Sequence, residues 1–263
     1  MSAVHFSIAE ADVLAELAAA EEVALGFDYD GTLTPIVERP DRARAPSEVA
    51  KQIAQLARRR ENLIAIVTGR SILDLDTVFD VPEVWVLGRH GLQWSAPGGR
   101  PRPPPDIDVE EAKTKIRGMK EELQPLIRQQ PALFLEDKEY ALTLHTRRLD
   151  PSIEPVAHRA FREAIPQGFS VIVGKKVIEA RPDGHDKGTA FTRLIEERMP
   201  RALAFYVGDD TTDEDVFRAL PEGSITIRVL DDPKLREETA ARFWLEAVEE
   251  VHQLLSSLVR LRS

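Results

Sequence analysis

Two short apolar runs, Val23-Ala24-Leu25-Gly26-Phe27 and Leu63-Ile64-Ala65-Ile66-Val67, show no polar alternation. A strand that is polar on neither side must be covered on both faces, as in a parallel sheet. Between them, residues 47–60 place Val49, Ile53, Leu56 and Ala57 at helical spacing, with Ser47 expected as the N-cap after Pro46. A third apolar run, 202–207, precedes a helical pattern over 213–220 and a further strand over 225–229. Strands alternating with helices predict a doubly wound α/β core. The tail, 247–261, carries Val248, Val251, Leu254, Leu255 and Leu258 on one stripe and predicts a packed terminal helix.

The middle of the chain has another texture. Residues 97–105 are rich in Pro, Gly and Arg and read as a linker. A polar helix is expected over 106–128, then strands over 132–135 and 140–145, the latter cleanly alternating. A helix over 152–164 follows, and a second hairpin pairs 171–173 with 176–180 around Gly174. An antiparallel sheet with helices on one face makes an α+β insert of roughly 75 residues, ordinary for a small domain. The expected division is a core of 1–105 and 183–263, interrupted by an insert of 106–182.

Charge narrows the partners. Lys and Arg number 35 against 45 Asp and Glu, a formal net charge of −10. Such a surface repels nucleic acid and anionic membrane, so neither is an expected partner, and phosphate chemistry needs a confined site where a lysine or a metal inverts the potential. With Cys 0, thiolate catalysis and Cys-bound zinc are excluded. Residues 1–20 lack the basic start of a signal peptide, and no apolar run approaches the ~20 residues that span a bilayer. A cytoplasmic location is expected.

The ends of the buried strands hold the candidate chemistry, since ligands of open α/β sheets bind at the strands' carboxyl ends. After the first strand comes Asp28-Tyr29-Asp30-Gly31-Thr32. Asp28 has the position of a nucleophile or cation ligand, and Asp30, two residues on, that of a proton donor; capping of a turn is the plainer alternative. Thr68-Gly69-Arg70 ends the second strand, a hydroxyl and a backbone N–H that suit phosphate. Lys187 opens a helix, where an isolated lysine is ordinarily solvated. Residues 208–215 bring Asp209, Asp210, Asp213, Glu214 and Asp215 together, a density that suits Mg2+ or, for Asp213 and Glu214, helix capping.

The succession Asp-x-Asp-Gly-Thr, Thr-Gly-Arg, Lys-Gly and Gly-Asp-Asp-x-x-Asp resembles the haloacid dehalogenase (HAD-like) superfamily of phosphohydrolases, with a Rossmann-like core and an inserted cap. The resemblance implies that Asp28 is the nucleophile and a Mg2+ ligand. Asp30 would be the general acid/base and lend its backbone carbonyl to the metal. Thr68, Gly69, Arg70 and Lys187 would bind phosphate, and Asp209, supported by Asp213, would complete the metal site. Leu135-Glu136-Asp137-Lys138, Gly88-Arg89-His90-Gly91, Glu179-Ala180-Arg181-Pro182 and Gly208-Asp209-Asp210-Thr211-Thr212-Asp213 further resemble the trehalose-6-phosphate phosphatase family. That likeness implies trehalose 6-phosphate as substrate, with contacts from Arg89, His90, Glu136, Lys138 and Glu179; the insert is expected to close on substrate, which excludes water, and a synthase partner is left open. Two positions depart from the family pattern: Thr146 stands after His145 where a tyrosine is expected, and Arg89 stands before His90 in place of a smaller or acidic residue. The alternatives are a phosphatase for glucosyl- or mannosyl-3-phosphoglycerate, which would require additional cap cations, and a non-catalytic sugar-phosphate sensor.

Overall fold

The computed structural model describes residues 3–174, 176–230 and 238–262 and divides the chain into two compact units, Met1–Pro104 with Asp186–Ser263, and Pro105–His185. The first unit is an α/β layer structure around one sheet. Its strands are β1 (Val4–His5), β2 (Val23–Phe27), β3 (Asn62–Val67), β4 (Trp85–Gly88) and β5 (Gln93–Ser95) in the first segment. The helices interleaved with them are α1 (Phe6–Ala19), α2 (Ser47–Ala57) and α3 (Ile72–Asp76). The second unit contributes α4 (Val109–Gln129), β6 (Phe134–Asp137), β7 (Leu142–His145), α5 (Glu154–Glu163), β8 (Phe169–Gly174) and β9 (Val177–Pro182). The chain then returns to the first unit with α6 (Lys187–Arg198), β10 (Leu203–Gly208), α7 (Glu214–Ala219), β11 (Ile225–Val229), β12 (Phe243–Leu245) and α8 (Val248–Arg262).

The large sheet has the order β1-β12-β11-β10-β2-β3-β4-β5, parallel throughout except for the β4–β5 hairpin. Every residue of β2 and β3 is buried, as the uninterrupted apolar runs predict. On one face Leu25, Phe27, Ile64 and Ile66 pack with Val49, Ile53 and Leu56 of α2 and with Val251, Leu255 and Leu258 of α8. The other face packs Ala24, Ala65 and Tyr206 against Phe191 and Leu194 of α6. Each such fully buried large side chain stabilises the unit by ~1.5–3 kcal/mol. Chain order runs outward from β2 in one direction through β3 and β4, and in the other through β10, β11 and β12. The crevice beyond the carboxyl end of β2 is therefore where the winding reverses.

Differences from expectation are local. Pro46 occupies the N-cap position of α2 and Ser47 lies inside the helix, so the hydroxyl makes no cap bond. Helix α4 begins at Val109 because Asp108, not Asp106, accepts from the backbone N–H of Glu111. Strands β1, β4, β5 and β12 and helices α1 and α3 have no counterpart in the expected elements.

In the second unit, an antiparallel sheet of order β6-β7-β9-β8 packs α4 and α5 against one face. Leu142 and Leu144 of β7 and Ile178 and Ala180 of β9 join Ile116, Met119, Leu123 and Phe161 in that core. The alternate positions, Glu136, Thr143 and Glu179, are register partners across β6, β7 and β9 and share the opposite face. No described helix is long and apolar enough to cross a membrane.

Candidate active site

Asp28 leaves the end of β2, its backbone N–H donating to the Val207 carbonyl of β10 at 2.9 Å, so the neighbouring strand fixes where its side chain emerges. Lys187 opens α6 under an Asp186–Thr189 capping box and is buried, only 2% exposed. Its Nζ lies 3.0 Å from Asp28 Oδ1 and 2.8 Å from Asp213 Oδ1. The lysine is thus an interior cation, not the solvated side chain its type suggests. Burial alone would lower its pKa, but Asp213 and Asp28 outweigh that and hold it above its usual value.

Asp213 is the anchor of the group. Its Oδ1 accepts from Lys187 and from the Tyr206 hydroxyl at 2.7 Å, and its Oδ2 accepts from the backbone N–H groups of Asp209 and Asp210 at 3.1 and 3.0 Å. A carboxylate has about four acceptor sites, and these four donors fill them. Asp213 therefore supports the cluster through charge and orientation and has no lone pair left for a further ligand. Tyr206, whose hydroxyl completes the set, is read from sequence only as an apolar strand residue.

Oxygens of Asp28, Asp209 and Asp213 lie within 4.8 Å of one another. Burial, offset in part by Lys187 and reinforced by Asp213, pushes Asp28 up to about 7. Burial followed by the charges of Asp28 and Asp213 pushes Asp209 up to about 9. Three carboxylates facing one ammonium leave a formal −2 when all are ionised, the charge a divalent cation cancels, and all the donors are hard oxygens. The residues present fit such an ion. Gly31, at φ +83°, is required here, since a β-carbon on it would collide with the Asp209 carboxylate.

Thr68 and Gly69 stand beside the acidic group, at the end of β3, and line the same cavity of about 530 Å³ as Asp28, Asp30, Lys187 and Asp209. His90 joins them through a turn in which Arg89, His90 and Gly91 are all left-handed, with φ of 49°, 54° and 97°. Such backbone costs a non-glycine residue ~1–2 kcal/mol. It is held by two bonds, Arg89 N–H to the Arg70 carbonyl at 2.7 Å and His90 N–H to the Thr68 carbonyl at 2.9 Å. The turn lays the His90 ring over Gly69, where a β-carbon would come within 2.7 Å of Cε1 and Nε2. Arg89 itself is half-buried, and its Nε and Nη1 have no hydrogen-bond partner among the described residues.

Arg70 corrects the sequence expectation. Its guanidinium is committed to Asp30 by two bonds and to the Pro40 carbonyl by a third, so it is not free for phosphate in this arrangement. Glu214 is likewise no helix cap: it is buried, accepting from Arg228 Nη1 at 2.7 Å, Thr239 Oγ1 at 2.6 Å and the Ala240 N–H at 2.8 Å. That pairing ties α7 to β11.

On the face of the second unit's sheet opposite α4 and α5, Glu179 accepts from Lys138 Nζ and from Thr143 Oγ1, both at 2.6 Å, and Glu136 pairs with His145 Nε2 at 2.9 Å. The structure brings Lys138 and Glu179 together, with Glu136 two strands from Glu179 across Thr143 of β7. Oriented donors and acceptors of both signs on one surface suit a polyhydroxylated ligand.

A family model described as trehalose-phosphatase matches residues 26–249. Trehalose-phosphate phosphatase B of Arabidopsis thaliana is 29% identical over 265 residues, covering 94% of this chain and 69% of that protein. A bifunctional trehalose-6-phosphate synthase/phosphatase of Thermoproteus tenax is 32% identical over 228 residues, covering 84% of this chain and 30% of that protein. The solved structure of an Aspergillus fumigatus trehalose-6-phosphate phosphatase superposes with a TM-score of 0.76 at 29% identity, covering 95% of this chain and 97% of that one. The chain spans only 18–30% of the length of the first three curated relatives it matches.

Proposed function

The chain belongs to the trehalose-phosphatase family, and from that premise we propose that it hydrolyses trehalose 6-phosphate to trehalose and phosphate in the cytoplasm, with Mg2+ as cofactor. The observation that carries this reading is the buried group at the end of β2, where Asp28 faces Lys187 at 3.0 Å beside Asp209. Phosphoryl transfer asks for positioning and charge neutralisation more than for new covalent machinery.

In this mechanism the Asp28 carboxylate attacks phosphorus while Asp30 gives its proton to the departing sugar oxygen, leaving an aspartyl-phosphate. Asp30, now ionised, takes a proton from the water that attacks this intermediate, which releases phosphate and restores both carboxyl groups. Thr68 Oγ1, the Gly69 N–H and Lys187 hold the phosphoryl oxygens. His90, packed on Gly69, limits where they can sit. Asp28, Asp209 and the Asp30 carbonyl would hold Mg2+, which neutralises charge on the phosphoryl group when bound. Removing divalent ions with a chelator should abolish phosphate release, and added Mg2+ should restore it; turnover in excess chelator would rule out the metal's part.

Glu136, Lys138 and Glu179 are proposed to read sugar hydroxyls, and the 106–182 segment to close when substrate binds. Lys138→Ala and Glu136→Ala should each lose charge-assisted hydrogen bonds of ~1.5–3 kcal/mol, about 10- to 150-fold in kcat/KM for trehalose 6-phosphate. A small aryl phosphate should be nearly unaffected. Equal losses on both substrates would overturn the assignment of these residues. A trehalose-6-phosphate synthase is the proposed source of substrate, since the name of the Thermoproteus tenax relative joins both activities.

One observation favours a second reading, a phosphatase for a glycosyl-3-phosphoglycerate. Arg147, Arg148 and Lys176 stand around a cavity of about 680 Å³ in the second unit, beside Phe134 and His145. These are the additional cations a carboxylated ligand would require, although Lys176 is already paired with Glu154. A phosphate-release panel of trehalose 6-phosphate, glucose 6-phosphate and glucosyl-3-phosphoglycerate separates the readings. Preference for the first supports the main assignment, and preference for the last replaces it.

A further inference from the structure

Arg70 lies in a phosphate-binding motif, yet its side chain is locked onto another residue. Nε donates to Asp30 Oδ2 and Nη2 to Asp30 Oδ1, both at 2.6 Å, a two-pronged fork. Nη1 donates to the Pro40 carbonyl at 2.8 Å. The guanidinium carbon sits 5.4 Å from the centroid of Tyr29, whose hydroxyl is itself fixed to the Ala43 carbonyl at 2.8 Å. The Arg70 backbone is equally constrained, its N–H donating to Thr68 Oγ1 at 3.1 Å and its carbonyl accepting from Arg89. The arginine side chain is 10% exposed while that of Asp30 is 36% exposed. A carboxyl group open to solvent is thus gripped by a nearly immobile cation.

We propose that Arg70 is a positioning residue for Asp30: the fork fixes the plane of the carboxyl group that carries a proton to the leaving oxygen, and Arg70 does not bind the substrate's phosphoryl group. This rests on the reading of Asp30 as general acid in the proposed function. A general acid works only within ~2.6–3.2 Å of the atom it protonates, and a short side chain free about two torsions spends little time there. A side-on fork uses one acceptor site on each oxygen, and a carboxylate has about four, so each oxygen keeps a site where the travelling proton can sit. The proton leaves Asp30 for the bridging oxygen as the P–O bond breaks with its electron pair. It is replaced from the attacking water, and the guanidinium neither gains nor loses one. Arg70 would have to give up both charge-assisted bonds, and its packing on Tyr29, to reach a phosphate.

The test compares two leaving groups in the full chain with Mg2+. Trehalose 6-phosphate expels an alkoxide that needs a proton, whereas p-nitrophenyl phosphate expels a phenolate that is stable without one. Arg70→Ala should lower kcat on the sugar phosphate about 10- to 100-fold, the scale of a misplaced catalytic group. On the aryl phosphate the first turnover, read as the burst of p-nitrophenol, should move no more than about threefold on that scale, since Asp30 acts on that ester only as the base for the later attack of water. Arg70→Lys, which keeps the charge and loses the fork, should show the same selective loss to a smaller degree, and it is the variant to read if melting curves show Arg70→Ala unfolded. In the first turnover Asp30→Asn should discriminate between the esters more strongly still, and Asp30→Asn/Arg70→Ala should be no slower than Asp30→Asn alone.

A raised KM for both esters would make Arg70 a phosphate ligand and overturn the proposal, as would a gain in kcat or additive losses in the double variant. If Asp30→Asn slows the first turnover of both esters alike, the general-acid reading falls and the proposal with it. If the wild type cleaves another alkyl phosphate in preference to trehalose 6-phosphate, only the substrate reading falls, and the Arg70 comparison runs on that ester.

Discussion

Asp28→Asn should abolish phosphate release from every phosphomonoester, activated or not, with a loss on the order of 10⁵-fold in kcat, the scale seen when a covalent nucleophile is removed. Asparagine keeps the shape and the place at the end of β2 but has no charged oxygen to attack phosphorus. The fold should not suffer. Asp28 is buried and its pKa is pushed up to about 7, chiefly by burial, so its ionised form is a cost to the native state, not a support. Its removal also leaves Lys187 paired with Asp213 at 2.8 Å. Steady-state assays on a sugar and an aryl phosphate, with a melting curve, check both halves. Activity above a few per cent of wild type would overturn the covalent mechanism, and a large drop in melting temperature would show that Asp28 is needed for the fold.

Lys187→Met should damage both activity and stability. The methionine replaces a side chain of similar length that is 2% exposed, so little volume is lost. What changes is charge: Asp28, Asp209 and Asp213 are left together without their common cation. Breaking a buried pair in this way costs ~3–5 kcal/mol, or ~6–20 °C in melting temperature for a chain of this size. Activity should fall by ~10³-fold or more, since a cation aimed at developing charge is among the larger catalytic contributions. Two controls separate the effects. Asp213→Asn added to Lys187→Met should recover much of the stability and none of the activity. Mg2+ should raise the melting temperature of Lys187→Met, because an ion that binds only the native state stabilises it. An unshifted melting temperature in Lys187→Met would mean that the lysine does not hold the acidic group together.

The two predictions turn on residues with different standing in the sequence. Asp28 is legible there because a continuous apolar run such as residues 23–27 can hardly be anything but a doubly covered strand, and its end is where an α/β sheet binds ligands. The same logic locates Thr68, Gly69 and Asp209. Lys187 reads as solvated because its burial is imposed by Asp28 and Asp213, which belong to other parts of the chain. Arg70 reads as a phosphate ligand because only the fold brings Asp30 within 2.6 Å of it. Glu214 and Arg228 pair by the same long-range route. The elements absent from the expectation are mostly short: β1 has two residues and β5 and β12 three each, too few to show a period, and what makes them strands is the neighbour they pair with.

The central place of β2 also sets an order of events during synthesis. Its register partners are Asn62 to Ile66 on one side and Leu203 to Val207 on the other, the latter made long after the former. Until residues 203–207 leave the ribosome, the strand bearing the nucleophile is an edge strand with its backbone groups unpaired, the exposed condition that invites association with other chains. The 105–185 unit is contiguous and can be complete before that gap is filled. Asp28 therefore acquires Lys187, Asp209 and Asp213 late in the chain's emergence, and a nascent polypeptide stopped short of α6 carries the Asp-x-Asp motif without the means to use it. Long-range closure of this kind slows folding, and here it also ties the onset of chemistry to the closing of the sheet.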